Sequence, residues 1–232
     1  MLTNFIEHVV KMGAIMSNII TLNAEHPAMK TLCKRDKRLA KVVRMVGTIT
    51  YKPYEDSYAF LVSQIIGQML SNKVADVLCQ RLTSLCDSSV TPAAVEQFSD
   101  DEIKSIGISA NKVRYIRALT EAVREGQLEF DAFSDMDDAA VIRSLTAIHG
   151  IGQWSAKMYL IFVLDRQDVL PYEDAAFLQG YGWAYKTDDF SKESIEKKCR
   201  KWKPYSSLAA RYMYRALDMG LTKSAFHLFK EN

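Results

Sequence analysis

The 232-residue sequence lacks the features that mark several classes of protein. Its four cysteines, at positions 33, 79, 86 and 199, are far apart and form no Cys-x2-Cys pair, which excludes the common zinc and dithiol motifs. This usage is typical of reduced thiols in a cytosolic protein. No apolar run reaches the roughly 20 residues that a membrane helix needs. We therefore expect a protein without a metal finger and without a membrane partner.

The sequence also lacks the alternation of apolar and polar residues that predicts strands. Apolar residues instead recur at helical spacing from Asp56 to Leu85, and N-cap signals at Thr91-Pro92 and Ser99–Glu102 open further helices. No fixed-period repeat and no low-complexity segment occurs. The 48% hydrophobic content suffices for one substantial core or two small lobes. We predict an all-α fold.

The net charge is only +2, which neither demands nor excludes nucleic acid, because DNA binding depends on a basic face. Residues Lys34–Arg44 concentrate six cations and one acid. This stretch fits either a solvated helix face or a patch that contacts phosphates. Upstream, Met1–Ile20 is predicted to be an amphipathic helix or a poorly ordered lead-in, because charged residues interrupt it.

Two glycines, Gly150 and Gly152, stand between the amphipathic segments Ala139–Thr146 and Gln153–Leu164. This pattern predicts two helices joined by a tight hairpin. Glycine permits the positive φ angles of such a turn and leaves the amides at the start of the second helix open to an anion such as phosphate. An ordinary helix–turn–helix corner would show the same two glycines.

A carboxylate, Asp174, follows twenty residues after Trp154, beyond a loop in which Pro171 ends the helical pattern. The second helix spans roughly 18 Å, so the loop is long enough to return Asp174 toward the start of that helix. Glu173 is a competing carboxylate. On spacing alone, Asp174 could equally be a turn residue or a helix cap.

Four stretches in order resemble the helix-hairpin-helix (HhH-GPD) DNA glycosylase superfamily, and within it the 3-methyladenine DNA glycosylase II family. They are Ile65–Ser71, Leu145–Ala156, Asp168–Asp174 and Arg200–Tyr205. The resemblance implies a two-lobed helical core with an interlobe cleft. The resemblance covers about residues 55 to 220, and only about fifty residues precede it, so we expect this core to lack the additional N-terminal β domain of the family. It also implies an N-terminal helical segment, 1–50, that packs on the C-terminal lobe, a lobe with a DNA-facing wedge turn, 51–135, and a lobe with the hairpin and the catalytic loop, 136–232.

The resemblance implies a base-excision-repair hydrolase that removes a flipped, damaged base from double-stranded DNA, with Asp174 as the catalytic residue. Cleavage of the N-glycosidic bond builds positive charge on the sugar, which an ionised carboxylate stabilises. Trp154, Trp202 and Met158 would form the base pocket, where aromatic faces attract a base made cationic by alkylation. Which base is preferred stays open among 3-methyladenine, 7-methylguanine, deaminated purines and uracil.

Two turns would contact DNA. The hairpin would do so through Gly150, Ile151, Gly152 and Ser155, and the wedge turn through Gln68, Met69, Leu70 and Ser71. Met69 matches the residue that fills the space left by the flipped base, although a methionine here could equally belong to the core. The carbonyls of Thr146, Ile148 and Ile151 would hold a Na⁺ or K⁺ ion. No cofactor for catalysis and no iron–sulfur cluster are expected, since the C-terminal region has no group of four cysteines.

Related enzymes that also cut the strand carry a lysine two residues after the last hairpin glycine, where this chain has Trp154. Lys157 lies most of a helical turn further round. We therefore expect a monofunctional glycosylase that leaves an abasic site and acts as a cytoplasmic monomer on a prokaryotic chromosome. The alternatives are a bifunctional oxidised-purine glycosylase/lyase and a non-catalytic helix-hairpin-helix DNA-binding module.

Overall fold

The computed structural model describes residues 19–229, and this part is predominantly helical, which confirms the all-α prediction. Most of the predicted segment Met1–Ile20 lies outside the described residues. The first elements in chain order are β1 (Ile20–Leu22), α1 (Pro27–Arg35), α2 (Lys37–Val46) and β2 (Ile49–Tyr51). The next are α3 (Ser57–Gly67), α4 (Asn72–Leu85), α5 (Pro92–Glu96), α6 (Asp100–Ser105), α7 (Ala110–Arg124), α8 (Asp138–Thr146) and α9 (Gln153–Phe162). The last helices are α10 (Ala175–Tyr185), α11 (Lys192–Cys199) and α12 (Ser206–Asp218). Short 3₁₀ turns cover Phe130–Ser134, Arg200–Trp202 and Leu221–Lys223.

Side-chain caps define where several of these helices begin. The predicted cap at Thr91 accepts the Ala94 amide at 3.1 Å, and Ser99 with Glu102 forms the predicted capping box. Ser71 precedes α4 as expected, but its side chain makes no capping hydrogen bond. The start of α4 is therefore left without a side-chain cap from its own N-cap residue.

The described chain divides into two compact units, and the boundary differs from the one that we predicted after residue 135. The hairpin unit is Tyr54–Asp165; the catalytic-loop unit combines residues up to Pro53 with residues from Arg166 onward. The hairpin helices α8 and α9 belong with the wedge-turn helix α3, because α9 packs against both α8 and α3. The chain from Gln153 to Phe162 is buried almost throughout α9, so separating it from α3 would expose much of its surface.

The catalytic-loop unit is built around α12, which packs against α10 and α2. The α10–α12 contact is close because Gly180 has no side chain: a Cβ there would lie 2.7 Å from the Met213 carbonyl oxygen. The Tyr212 hydroxyl donates to the Leu22 carbonyl oxygen at 3.1 Å, which attaches β1 to α12. This unit thus joins distant parts of the sequence.

One element of the catalytic-loop unit was not predicted. Strands β1 and β2 pair antiparallel, with Ile20 opposite Tyr51 and Leu22 opposite Ile49. Three residues in each strand are too few for an alternating pattern to show in the sequence. The pair is far smaller than a β domain.

No helix within residues 19–229 is long and apolar enough to span a membrane.

The hairpin unit packs its helices around α3 and α7. Helix α3 contacts α4, α7 and α9, and α7 also contacts α5 and α6. The buried side chains of this unit are mainly aliphatic and aromatic: Phe60, Leu61, Ile65, Ile66, Ile116, Leu119, Phe133, Leu145, Met158 and Tyr159. Phe60, Leu61 and Ile65 therefore face this core, as their helical spacing predicted. Met69, Val74 and Val77, which continue the same spacing, are exposed instead.

Candidate active site

The predicted hairpin is confirmed: α8 ends at Thr146 and α9 begins at Gln153. The Ile151 amide donates to the Ile148 carbonyl at 3.1 Å, and Gly150 adopts φ +95°. Glycine is also required there sterically, since a Cβ would lie 2.2 Å from Cγ of Tyr115. The ring of Tyr115 in turn meets His149 edge-on, with 4.9 Å between centroids. The turn is thus closed by its own backbone and packed against α7.

The second glycine, Gly152, has a different role from the first. It is the N-cap residue of α9 in extended conformation, makes no side-chain capping bond, and would carry a Cβ with nothing within 4 Å. Gly152 itself therefore places no side chain over the first amides of α9, which suits an anion. Of the other predicted DNA contacts here, the side chains of Ile151 and Ser155 are buried. These two residues can therefore offer only backbone groups to a phosphate.

The carbonyls predicted to hold a monovalent cation fit that role in part. In the described part of the chain, no hydrogen bond to the Thr146 or Ile151 carbonyl oxygen occurs, whereas the Ile148 carbonyl already accepts the Ile151 amide. A carbonyl oxygen has two lone pairs, so Ile148 keeps one for an ion. Three backbone oxygens of one short turn are ligands that Na⁺ or K⁺ accepts.

The wedge turn, Gln68–Ser71, follows α3 and reaches the hairpin within the same unit. The Gln68 side-chain amide donates to the Gly150 carbonyl at 2.8 Å. Met69 has a positive φ of 58° and a fully exposed side chain, and Leu70 and Ser71 are also exposed. A left-handed, exposed methionine is uncommon and does not belong to a core. The sequence left two interpretations of Met69, a wedge residue and a core residue. The structure excludes the core residue.

The catalytic candidate, Asp174, is a buried residue of the catalytic-loop unit and the N-cap of α10, where its carboxylate accepts the Phe177 amide at 2.7 Å. The Tyr214 hydroxyl is buried and interacts electrostatically with the same carboxylate. Burial first, and then the negative charge of Asp174, raise the pKa of Tyr214 far above its usual range, while Arg211 opposes this shift. Asp174 is therefore held by the Phe177 amide and has the Tyr214 hydroxyl as a buried neighbour.

Arg211 and Tyr214 were not recognised from the sequence. Both are buried on α12, and the guanidinium carbon of Arg211 lies 3.7 Å from the ring centroid of Tyr51 in β2. Their separation by three residues places them on one helix face, which is the only local signal in the sequence. That face meets Asp174 because α10 and α12 cross closely at Gly180.

The motif before Asp174 fixes the loop that carries it. The Asp168 carboxylate accepts the Ser206 hydroxyl at 2.5 Å and the Ser206 amide at 3.2 Å, so it caps α12 in place of that helix's own N-cap residue. The Val169 amide donates to the Ser207 hydroxyl at 2.9 Å, and the Ser207 amide donates to the Gln167 carbonyl at 2.9 Å. The loop is thereby attached to the start of α12 before it reaches Pro171.

The three residues predicted for the base pocket differ in accessibility. Trp154, in the first turn of α9, is half-buried, so part of its indole is available to a base. Met158 is fully buried one turn later and faces the core of the hairpin unit. Trp202 has no exposed surface and meets the ring of Phe177 edge-on. Packing covers Met158 and Trp202 in this structure, so their place in the base pocket stays a prediction, whereas Trp154 has accessible surface.

Trp202 instead belongs to a buried network around Asp36. The indole N–H donates to Asp36 Oδ2 at 2.9 Å, the Tyr185 hydroxyl donates to the same oxygen, and the Lys201 ammonium lies 3.1 Å away. The other oxygen, Oδ1, accepts the amides of Arg38 and Leu39 and so caps α2. Burial alone would raise the pKa of the Asp36 carboxyl, but these hydrogen bonds and Lys201 hold it below its usual range.

We expect Asp36→Asn to lower the free energy of unfolding at pH 7 by about 2 kcal/mol, because the ionised acceptor of two buried donors is lost. A folded-state pKa below the unfolded one stabilises the protein above the unfolded value, and this stabilisation is lost as pH falls through the folded pKa. The difference between the variant and the wild type should therefore shrink below about pH 4. Urea unfolding from pH 7 to pH 3 measures it. Asp56→Asn, an exposed N-cap exchange, is the matched control and should change little.

Comparison with known proteins agrees with this geometry. Residues 62–204 match the family model described as HhH-GPD superfamily base excision DNA repair protein. DNA-3-methyladenine glycosylase 1 of Schizosaccharomyces pombe is 26% identical over 189 residues, which are 78% of this chain and 82% of that protein. The crystal structure of a DNA-3-methyladenine glycosidase from Bacillus halodurans superposes with a TM-score of 0.79 and 30% identity, covering 90% of this chain and 97% of that one.

A further solved structure supports the fold alone. A Schizosaccharomyces pombe 3-methyladenine DNA glycosylase in complex with abasic DNA superposes with a TM-score of 0.75 and 24% identity, over 88% of this chain and 99% of that one. Among residues 19–229 of our protein, no group of three or more His, Cys, Asp or Glu side chains could hold a metal ion.

Proposed function

Because this chain belongs to the HhH-GPD superfamily of base excision DNA repair proteins, we propose that it is a monofunctional DNA glycosylase that releases alkylated purines from duplex DNA. Its relatives named as 3-methyladenine DNA glycosylases support this choice of substrate class. The observation that carries the proposal is Asp174, a buried carboxylate that accepts the Phe177 amide and has the buried Tyr214 hydroxyl as an electrostatic neighbour. A fixed carboxylate is the group that departure of a base from deoxyribose requires.

In this proposal one set of groups binds the DNA and another promotes base loss. The hairpin amides beyond Gly152 bind a phosphate, and Met69 enters the stack that the target base leaves. Ionised Asp174 stabilises the positive charge that develops on the sugar and orients the attacking water. A Na⁺ or K⁺ ion on the carbonyls of Thr146, Ile148 and Ile151 would add positive charge beside the bound phosphate.

Selectivity for alkylated bases has two sources in this proposal. A cationic base is a better leaving group, and it is attracted to an aromatic face by about 0.5–2 kcal/mol. Trp154 supplies the accessible face among the three pocket residues that we predicted. Duplexes that each carry one 3-methyladenine, 7-methylguanine, hypoxanthine or uracil test this selectivity. Release of the two methylated purines well above the others is expected, and release of uracil alone would overturn the alkylpurine assignment.

The product should be an intact strand with an abasic site. Strand cleavage by an amine needs a lysine in place of Trp154, whose indole cannot form an imine. Lys157 lies one turn along α9 and is buried. Borohydride present during the reaction should therefore trap no protein–DNA adduct, and breaks should appear only after alkali or heat. A trapped adduct that Lys157→Ala removes would favour the bifunctional alternative.

A further inference from the structure

Lys112, a side chain of α7, attaches the wedge turn to that helix. Its ammonium donates to the Ile66 carbonyl at 2.7 Å and to the Gln68 carbonyl at 2.8 Å. These two oxygens lie at the C-terminus of α3, where the last carbonyls of a helix have no partner in the helix and the dipole favours a cation. Lys112 therefore closes the end of α3 at the point where the wedge turn begins.

The conformation of Met69 needs such external support. Its φ of 58° is the left-handed region, which costs roughly 1–2 kcal/mol for a residue with a side chain. Its side chain is fully exposed, so no packing of its own offsets this cost. The backbone groups on either side of Met69 are held instead: the Gln68 carbonyl by Lys112, and the Leu70 amide by the Gly67 carbonyl at 3.1 Å.

The same helix also supports the hairpin. Tyr115, three residues after Lys112 and on the same face of α7, lies against Gly150. The Gly150 carbonyl accepts the side-chain amide of Gln68, whose own carbonyl accepts Lys112. Lys112, Gln68, Gly150 and Tyr115 thus form one continuous set of contacts within the hairpin unit. Displacing Lys112 would release the wedge turn from α7 and leave the hairpin in contact with Tyr115.

Lys112 links two segments of the hairpin unit and is not a solvated surface cation. Its side chain is half-buried, and this desolvation lowers the pKa of Lys112. Two of the three donors of its ammonium group are committed to backbone oxygens. By contrast, Lys104 of the same unit is solvent-exposed and pairs with exposed Asp101.

We propose that Lys112 is a positioning residue, which holds Met69 in its exposed conformation and keeps the wedge turn aligned with the hairpin. The proposal rests on the proposed function, because Met69 must act as the wedge. A lysine near a DNA-binding turn could instead contact a phosphate directly, and this alternative has a different dependence on salt. A phosphate contact contributes about 0.9 to the slope of log K against log salt, whereas a positioning residue contributes nothing to it.

The experiment compares wild type, Lys112→Met, Met69→Ala and the double variant, with Lys104→Met as the control for lost charge. Wedge insertion is read from the fluorescence of 2-aminopurine opposite a tetrahydrofuran abasic analogue, which needs no base release. Base release is measured in single turnover on the methylated purine duplexes. We expect Lys112→Met to slow base release roughly tenfold to a hundredfold and to reduce the fluorescence change, because small displacements of positioned groups cost this much. Lys104→Met should match wild type in both.

Three results would overturn the proposal: a salt slope on undamaged duplex that is shallower by about 0.9 in Lys112→Met, additive losses in the double variant, or a wild-type fluorescence change in Lys112→Met. If Lys112→Met does not fold, Lys112→Gln is measured in its place, since its shorter side chain keeps an uncharged NH₂ group with two N–H donors. A smaller loss of base release and of the fluorescence change supports the positioning role of Lys112, and no loss overturns it. If wild type itself causes no fluorescence change, Met69 is not the wedge and the positioning role of Lys112 is overturned with it. If wild type causes the fluorescence change but releases no base, the glycosylase proposal fails and the positioning role of Lys112 is retained.

Discussion

Asp174→Asn is expected to reduce base release by at least about a thousandfold, because the exchange removes the charge that stabilises the sugar cation. Binding to an abasic-site duplex should stay within a few fold of wild type. The side-chain oxygen of asparagine can still accept the Phe177 amide, so the N-cap of α10 and the fold are retained. Single-turnover release from a 3-methyladenine or 7-methylguanine duplex, beside equilibrium binding, measures both effects.

The chain offers a matched control for this exchange. Asp137 caps α8 in the same manner, accepting the Ala140 amide at 2.7 Å, but it is exposed. Asp137→Asn should therefore leave base release unchanged. Release by Asp174→Asn within tenfold of wild type, or an equal loss in Asp137→Asn, would contradict the assignment of Asp174 as the catalytic residue.

Gly150→Ala should destabilise the protein by about 3 kcal/mol, the sum of a positive φ for a residue with a side chain and an overpacked contact. The added Cβ would lie 2.2 Å from Cγ and 2.4 Å from Cβ of Tyr115, and the latter atom cannot move without α7. For a chain of this size the melting temperature should fall by about 10 °C. Thermal unfolding followed by circular dichroism measures this loss. Tyr115→Ala in the same chain should restore part of it, because the clash is removed while the positive φ remains.

Gly152→Ala provides the contrasting variant. Nothing lies within 4 Å of the added Cβ, and φ is negative at this position. The free energy of unfolding should therefore differ from that of wild type by less than about 1 kcal/mol. The methyl group would stand before the first amides of α9, and loss of one charge-assisted hydrogen bond should weaken DNA binding about tenfold. The effect should be equal on all duplexes, because phosphate contacts carry no sequence information. Unchanged affinity in this folded variant would count against the hairpin as an anchor.

The hairpin was predictable because its signal is local. Two glycines at a spacing of two, between amphipathic segments, require a turn, and the structure has helices ending and starting within one or two residues of the predicted limits. The sequence could not assign separate roles to the two glycines. That distinction depends on Tyr115, which lies 35 positions before Gly150 in the chain and meets it only after α7 has packed.

The base pocket was less predictable because accessibility depends on distant residues. Trp202 matches a motif, but Asp36, a residue 166 positions away, satisfies its indole N–H in the interior. No local pattern marks an aspartate between two cationic residues as a buried acceptor. The same limit applies to Tyr214, which lies near Asp174 through the close packing of α10 on α12, and to Arg211, which lies over the ring of Tyr51.

The predicted boundary after residue 135 shows a third kind of limit. The order of motifs along the chain suggested that the hairpin and the catalytic loop share a lobe. The structure instead groups the hairpin with the helices that precede it, because the apolar face of α9 packs on α3. Sequence order gives the succession of helices, whereas the partner of each apolar face is decided by tertiary packing.

The discontinuity of the catalytic-loop unit determines the order in which the protein can acquire structure during synthesis. The hairpin unit is a single segment, Tyr54–Asp165, so all of its chain is available once residue 165 has left the ribosome. Strand β1 needs Tyr212 to satisfy its Leu22 carbonyl, and Tyr51 needs Arg211 to cover its ring. Because these contacts span about 160 to 190 residues, closing them is slow compared with forming the local contacts of the hairpin unit. The nascent chain therefore completes its helical hairpin before Asp174 has a fixed environment, and the apolar surfaces of α1 and α2 stay uncovered until the last helix has emerged.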